Sequence, residues 1–254
     1  MCELIRFASL GSGSRGNATL IDIGEQLILV DCGFSLKQAE ARFARLHVGP
    51  GDVRAILITH EHADHVSGVA ALSHKYGIPI FASYGTFRAL DNQLFGNRIY
   101  GGIAFPIGDV LVHPIVVPHD AREPVQFVFE YKQVRIGVIS DLGQVTPHVI
   151  SQYRDCAGLM MESNHDAELL MKGNYPAKLK KRIAGNLGHL SNDQAVFFLD
   201  MVKNIDMKVV VGHVSETNNR TDLLEASFEK FRSDVDWLDF ATQETGIDWV
   251  SIEK

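Results

Sequence analysis

Cysteine is scarce in this chain of 254 residues. Cys2, Cys32 and Cys156 are odd in number, widely spaced and without a CxxC pair, which excludes a fully paired disulfide framework and thiolate-held structural zinc. Reduced thiols are expected. Long apolar runs are missing as well: no stretch approaches the ~20 residues that span a bilayer. The opening Met1 to Phe7 has no basic region followed by an apolar block, so neither a membrane anchor nor a secretory leader is expected, and the predicted location is the cytoplasm. Positive charge is in deficit. A formal net charge of −7 works against generic binding of nucleic acid, so any such binding needs a local basic patch. No linker, repeat or low-complexity break divides the chain, and 46% hydrophobic residues supply ample core, so one domain over 1–254 is expected.

Histidine, by contrast, is concentrated. Thr59-His60-Glu61-His62-Ala63-Asp64-His65 follows the apolar run Ala55 to Ile58, which reads as a buried strand. Side chains alternate along extended chain, so His60 and His62 point to one side and can share an ion. Residues 66–76 read as a helix, which puts Asp64 at a helix start, where its carboxylate can also cap backbone amides. The turn there aims Asp64 and His65 toward a second ion.

Around this stretch the chain alternates strands and helices. A strand from Ile5 enters the loop Gly11-Ser12-Gly13-Ser14-Arg15-Gly16-Asn17, which serves either as a bare turn or as a cradle of amides and hydroxyls for an anion. Thr19 to Ile23 and Gln26 to Val30 form a hairpin around Gly24-Glu25. Helices are predicted over 35–46, 84–94, 166–172, 176–184, 192–202 and 221–231, and strands over 78–82, 109–117, 125–131, 134–140, 157–162, 207–211, 237–240 and 248–252. His119, Asp141 and His213 each sit just past a strand, as His60 does, and strand ends on one edge gather residues distant in sequence.

The HxHxDH pattern of His60, His62, Asp64 and His65 resembles that of the metallo-β-lactamase-fold hydrolases. The resemblance implies an α/β protein, a four-layer αββα sandwich with a two-metal site at one edge. It implies that His60, His62 and His119 hold one ion, that Asp64, His65 and His213 hold a second, and that Asp141 is shared by both, a bridging carboxylate that offsets the repulsion between cations. Asp31 takes the role of orienting the metal-binding loop. Two divalent ions are expected, and mixed nitrogen and oxygen donors suit zinc, manganese or iron.

Four further motifs resemble the YycJ/WalJ family: the loop 11–17, Glu162-Ser163-Asn164-His165-Asp166, Gly188-His189-Leu190-Ser191-Asn192, and Gly212-His213-Val214-Ser215-Glu216-Thr217-Asn218-Asn219. Val214 departs from the leucine common at that place. The similarity covers nearly the whole chain and implies 5′ to 3′ exonuclease action on double-stranded DNA, with kinship to the RNase Z and RNase J group. The inserted domain of RNase J and the extended arm of RNase Z are absent from this sequence. Lys178, Lys180, Lys181 and Arg182 concentrate positive charge just before His189, either as a phosphate-steering patch or as a solvated helix face.

The expected chemistry is phosphodiester hydrolysis, with Asp64 orienting the attacking water and His189 donating a hydrogen bond or proton to the phosphate. Ser12, Ser14, Asn192 and Asn218 are expected to contact substrate phosphate. His47, His74, His113, His148 and His165 read as surface or structural. Hydrolysis of small phosphodiesters or thioesters at the same metal centre is one alternative, and a catalytically silent metal-binding scaffold another.

Overall fold

The computed structural model describes residues 4–91 and 94–253. In chain order its first half comprises β1 (Arg6–Gly11), β2 (Ala18–Ile23), β3 (Gln26–Val30), α1 (Leu36–Arg45), β4 (Val53–Leu57), α2 (Ala63–Val66), α3 (Val69–Tyr76), β5 (Ile80–Ser83), α4 (Tyr84–Ala89), β6 (Asn97–Ile99), β7 (Phe105–Ile107) and β8 (Val110–Val116). Then follow β9 (Val125–Tyr131), β10 (Val134–Ile139), α5 (Pro147–Tyr153), β11 (Gly158–Glu162), α6 (Ala167–Lys172), α7 (Ala177–Ile183), α8 (Asn192–Val202), β12 (Lys208–Gly212), α9 (Thr221–Phe228), β13 (Trp237–Phe240) and β14 (Ile247–Ser251).

These strands make two sheets, ordered β14-β1-β2-β3-β4-β5-β6 and β13-β12-β11-β10-β9-β8-β7. Period-two alternation sends successive residues of one strand to opposite faces. Ile28 and Val30 of β3 therefore join Phe127 and Phe129 of β9 and Val210 of β12 in the seam between the sheets. Leu27 and Leu29 face the other way, toward Phe43 of α1 and Leu72 of α3. On the far side Val209 and Val211 of β12 pack with Tyr153 of α5, Phe198 of α8 and Phe228 of α9. The result is the four-layer αββα sandwich. Each fully buried Phe or Leu contributes about 1.5–3 kcal/mol, so the layers are held mainly by these three seams.

Several local expectations are corrected. The helix read over 66–76 is two helices, α2 and α3, with Gly68 between them; a Cβ there would lie 1.8 Å from the Phe34 carbonyl oxygen, so only glycine lets the chain pass. His62, and not Asp64, is the N-cap of α2, and Asp64 makes no capping bond. The helix over 84–94 ends at Ala89, and positions 92 and 93 of that reading lie outside the described residues, as does Cys2. The helix over 221–231 stops at Phe228 and tightens to a 3₁₀ turn, Glu229–Ser233. The short strands β6 and β7 went unread because three residues carry too little periodicity. Thr146, followed by Pro147, caps α5 by accepting from the Val149 N–H, which leaves Asp141 free of that duty.

Candidate metal centre

One edge of the sandwich collects the chemistry. In the first sheet β3, β4, β5 and β6 run parallel. In the second β10, β11 and β12 are parallel, and β8, antiparallel to β9 as β10 is, points the same way. Asp31 follows β3, His60 lies just past β4, His119 past β8 and Asp141 past β10, Glu162 ends β11, and His213 follows β12. Asp31, Asp141 and His213 adopt positive φ of 59°, 47° and 52°. Left-handed backbone in such residues costs about 1–3 kcal/mol each and persists only where the surroundings enforce it.

The expected donors meet. Donor atoms of His60, His62 and His119 lie within 4.8 Å of one another, as do those of Asp64, His65 and His213. Asp141 touches both sets, with Oδ2 3.0 Å from His65 Nε2, and Oδ1 3.7 Å from His119 Nε2 and 3.4 Å from His213 Nδ1. His62 Nδ1 stands 3.0 Å from His60 Nε2 and 3.3 Å from His119 Nε2. Asp141 Oδ2 and His213 Nδ1 are buried without a hydrogen-bond partner. Nitrogens this close with orphaned buried acceptors fit a divalent cation, and the imidazole and carboxylate set suits zinc, manganese or iron.

Contacts behind the cluster choose which nitrogen each ring presents. Thr59 Oγ1 donates to Asp31 Oδ2 at 2.7 Å, so toward His60 Nδ1, 3.0 Å away, it is an acceptor. His65 Nδ1 lies 2.8 Å from Asp31 Oδ2, and His119 Nδ1 3.1 Å from the Gly188 carbonyl. With their Nδ1–H groups so engaged, His60 and His119 turn a bare Nε2 inward, while the Nδ1–H of His65 is held by Asp31. Asp31 also accepts the Thr59 N–H at 2.8 Å, which ties β3 to the metal loop. The carbonyl of Asp64 accepts the Asn17 N–H at 2.8 Å, and that of His65 the Cys32 N–H at 2.7 Å. A Cβ on Gly33 would sit 1.9 Å from the Asp64 carbonyl oxygen, so the two loops interlock through glycine.

Charge inside the cluster is sharply divided. Burial pushes His60 and His119 well toward the neutral form, with cationic neighbours adding to this. Burial opposes a proton on His65 and His213 too, but surrounding carboxylates outweigh it. Asp141, Asp31 and Asp64 raise His65, and Asp141, Asp64 and Glu162 raise His213 to about 10. Against the same burial, His213 and His65 hold Asp141 well below the usual carboxylate range, and His189 and His213 lower Glu162 to about 2. A carboxylate set kept ionised in a buried place is an electrostatic demand for cations.

A cleft of about 340 Å³ opens on the cluster, lined among others by His62, Asp64, Asp141, Arg182, His189 and His213. Ser14 and Asn218 also line it, and Asn218 Oδ1 is buried without a partner. Ser12 and Asn192 lie elsewhere. Ser12 Oγ accepts the His213 N–H at 2.7 Å and donates to Asn17 Oδ1, and Asn192 is bound to Ser163 and Asn219. Both support the scaffold and neither lines the cleft.

Residues that had drawn no assigned role also reach the centre. Glu162 Oε2 lies 3.2 Å from His189 Nδ1 and 3.4 Å from His213 Nδ1, while its Oε1 accepts the N–H groups of Leu142 and Leu190. Its signals in the sequence were a carboxylate closing the apolar strand Gly158 to Met161 and its place at the head of the motif 162–166, neither of which named a role. Asn17 Nδ2 donates to Asp64 Oδ2 at 3.3 Å. Asp120 Oδ1 stands 3.5 Å from His119 Nε2, and its Oδ2 accepts from Arg182.

A two-sheet sandwich with this cluster at one edge defines the metallo-β-lactamase class, and residues 11–148 match the model of the metallo-beta-lactamase superfamily. The protein is a metal-dependent hydrolase of that class. The chain is 34% identical to the exodeoxyribonuclease YycJ of Bacillus anthracis, over 88% of this chain and 87% of that one. It is 32% identical to the exodeoxyribonuclease WalJ of Streptococcus pneumoniae, over 96% and 95%. The crystal structure of the metallo-beta-lactamase fold protein YhfI from Bacillus subtilis superposes with a TM-score of 0.75 at 13% identity, covering 98% of this chain and 99% of that one. Within its superfamily, the chain belongs to the YycJ/WalJ family.

Proposed function

We propose that the chain, acting as one domain in the cytoplasm, is a nuclease that removes nucleotides from double-stranded DNA in the 5′ to 3′ direction. His60, His62 and His119 with Asp141 would hold one divalent ion, and Asp64, His65 and His213 with Asp141 a second. Bound there, such ions supply Lewis acidity and make water a nucleophile near neutral pH. Zinc, manganese and iron all suit these donors.

The chain's own groups do the rest. Asp64, lining the cleft, accepts a hydrogen bond from the attacking water and fixes its direction toward phosphorus. When its ring carries both protons, His189 directs Nδ1–H to Glu162 and offers the N–H of the other ring nitrogen to a phosphate oxygen or to the leaving oxygen. Arg182 lines the same cleft, and Lys178, Lys180 and Lys181 share its helix, so this acidic protein concentrates positive charge where a phosphate backbone would enter. Ser14 and Asn218, which line the cleft, would contact that backbone.

The observation that carries this reading is the pairing of His189 with Glu162 at the wall of a cleft shared with Asp64, Asp141 and His213. DNA is proposed as substrate on the strength of the curated relatives, both called exodeoxyribonucleases. The test supplies metal-loaded protein with end-labelled duplex DNA and with a chromogenic small phosphodiester. Release of nucleotides from DNA, reduced about a thousandfold or more by Asp64→Ala, is expected. Fast turnover of the small diester without release from DNA would make the protein a small-diester hydrolase, and no turnover of either a metal-binding scaffold.

A further inference from the structure

The rim that bears the metal cluster extends past it. β4, β5 and β6 are adjacent and parallel, so Tyr84, directly after β5, and Tyr100, directly after β6, stand on the same edge of the sheet as His60. With strands ~4.8 Å apart, the end of β6 is roughly 10 Å along the sheet from that of β4. A surface hollow of about 380 Å³ opens there, lined by Tyr84, Phe87, Arg88, Phe95, Arg98 and Tyr100 among others. Three of its aromatics are left in solvent, Tyr84 at 48%, Tyr100 at 53% and Phe95 at 81% exposure. The Arg98 guanidinium stacks 4.3 Å from the centre of the Tyr84 ring. Among the described residues no carboxylate oxygen lies within 4.0 Å of Arg88 or Arg98.

The hollow is joined to the cluster through the loop after His119. Ser83 Oγ donates to the Glu123 carbonyl at 2.8 Å, and the Gly85 N–H to the Glu123 carboxylate at 2.6 Å. One residue earlier, the Arg122 N–H donates to Glu61 Oε1 at 2.9 Å, inside the metal loop. The two sites are thus fixed relative to each other by the hydrogen bonds of a single loop.

We propose that this hollow is a nucleotide subsite, which takes an unpaired nucleotide of the strand under cleavage, its base stacked on Phe95 or Tyr100 and its phosphates facing Arg88 and Arg98. Exposed aromatic faces accept any base, and guanidinium groups without carboxylate partners complement phosphate in a chain whose net charge is −7. An apolar protein partner would account for the rings but would leave both arginines unanswered. The subsite rests on the nuclease reading above and adds to it a grip on unpaired strand beside the cut.

The experiment uses full-length, metal-loaded protein and a fluorescent oligothymidine with cleavage-resistant phosphorothioate links. Affinity is read by anisotropy across a salt series for wild type, Phe95→Ala and the Arg88→Ala/Arg98→Ala pair, with turnover of a chromogenic small diester measured alongside. Phe95→Ala is expected to weaken strand binding about tenfold, and the arginine pair to lower the salt slope by about 1.4, at about 0.7 per phosphate on single strands. Small-diester turnover stays within about twofold of wild type, which certifies folding and the metal centre. Unchanged affinity and slope in variants of a protein that cleaves DNA would overturn the subsite. So would unchanged strand binding with altered sedimentation, which would mark a protein-contact face. If wild type turns over the small diester but neither binds nor cleaves DNA, the nuclease reading itself falls and takes the subsite with it.

Discussion

The carboxylate of Glu162 faces the Nδ1 atoms of two histidines at once, 3.2 Å from His189 and 3.4 Å from His213. It is buried, and its other oxygen is occupied by two backbone N–H groups. Glu162 therefore positions His189, taking its Nδ1–H and turning the other ring nitrogen toward the cleft. Glu162→Gln keeps the shape and one acceptor oxygen but turns an amide donor toward the rings. DNA cleavage should fall about a hundredfold with bound metal reduced less than tenfold. Wild-type turnover in Glu162→Gln would remove this role.

The interlock at Gly33 is open to a one-carbon test. In Gly33→Ala the new Cβ meets the Asp64 carbonyl oxygen at 1.9 Å, so the metal loop must move. The strain should cost about 1–3 kcal/mol, a drop of several degrees in Tm, together with a weakened hold on metal. Gly51→Ala, where the nearest atom is 3.8 Å away, is the control and should change neither. Calorimetry and elemental analysis of the two variants decide it.

Removing metal should lower stability as well as activity. The close nitrogens and orphaned acceptors of the cluster are favourable only around cations, so the folded chain is the form that binds them. At a hundredfold excess over Kd, bound metal adds about 2.7 kcal/mol per site. With both sites emptied, a chelator should then lower Tm by roughly 10–20 °C, reversibly on re-addition of metal. An unchanged Tm in chelator would argue that the site is preformed without help from ions.

Alkaline sensitivity should arise from buried thiols. Burial pushes Cys32 up to about 11 and Cys156 up to about 12, and both are free and inaccessible. Above pH ~8.5 the unfolded chain releases thiol protons that the folded chain keeps. Stability is therefore full below that pH and is lost as pH rises toward the folded values, by about 1.4 kcal/mol per pH unit for each thiol. Cys156→Ala should make the urea midpoint fall less steeply between pH 9 and 11. An identical slope would assign the loss to other groups.

The residues that gather at this edge were legible in the sequence through the resemblance to the metallo-β-lactamase pattern and through histidines and an aspartate set just past apolar runs. His60, His62, Asp64 and His65 fall within six residues, and His119, Asp141 and His213 each follow an apolar run. Supporting atoms left a weaker trace. Glu162 and Asn17 act through contacts made only when distant segments meet, and Ser12 and Asn192 are of a type that serves phosphate and scaffold equally. The break at Gly68 was hidden because its cause is the Phe34 carbonyl on another loop. Short strands such as β6 owe their existence to a neighbour's edge.

The pairing of β1 with β14 has a consequence for the order of assembly. β1 finds its outer neighbour only when residues 247–251 have been made, and His213 joins the cluster only after residues 66–212 have followed the 60–65 segment. At about 5–20 residues per second the nascent chain carries the histidines of the 60–65 segment for roughly 7–30 s before His213 can join them. Closure of the cluster therefore waits on the synthesis of β12, and a product terminated short of that strand lacks His213.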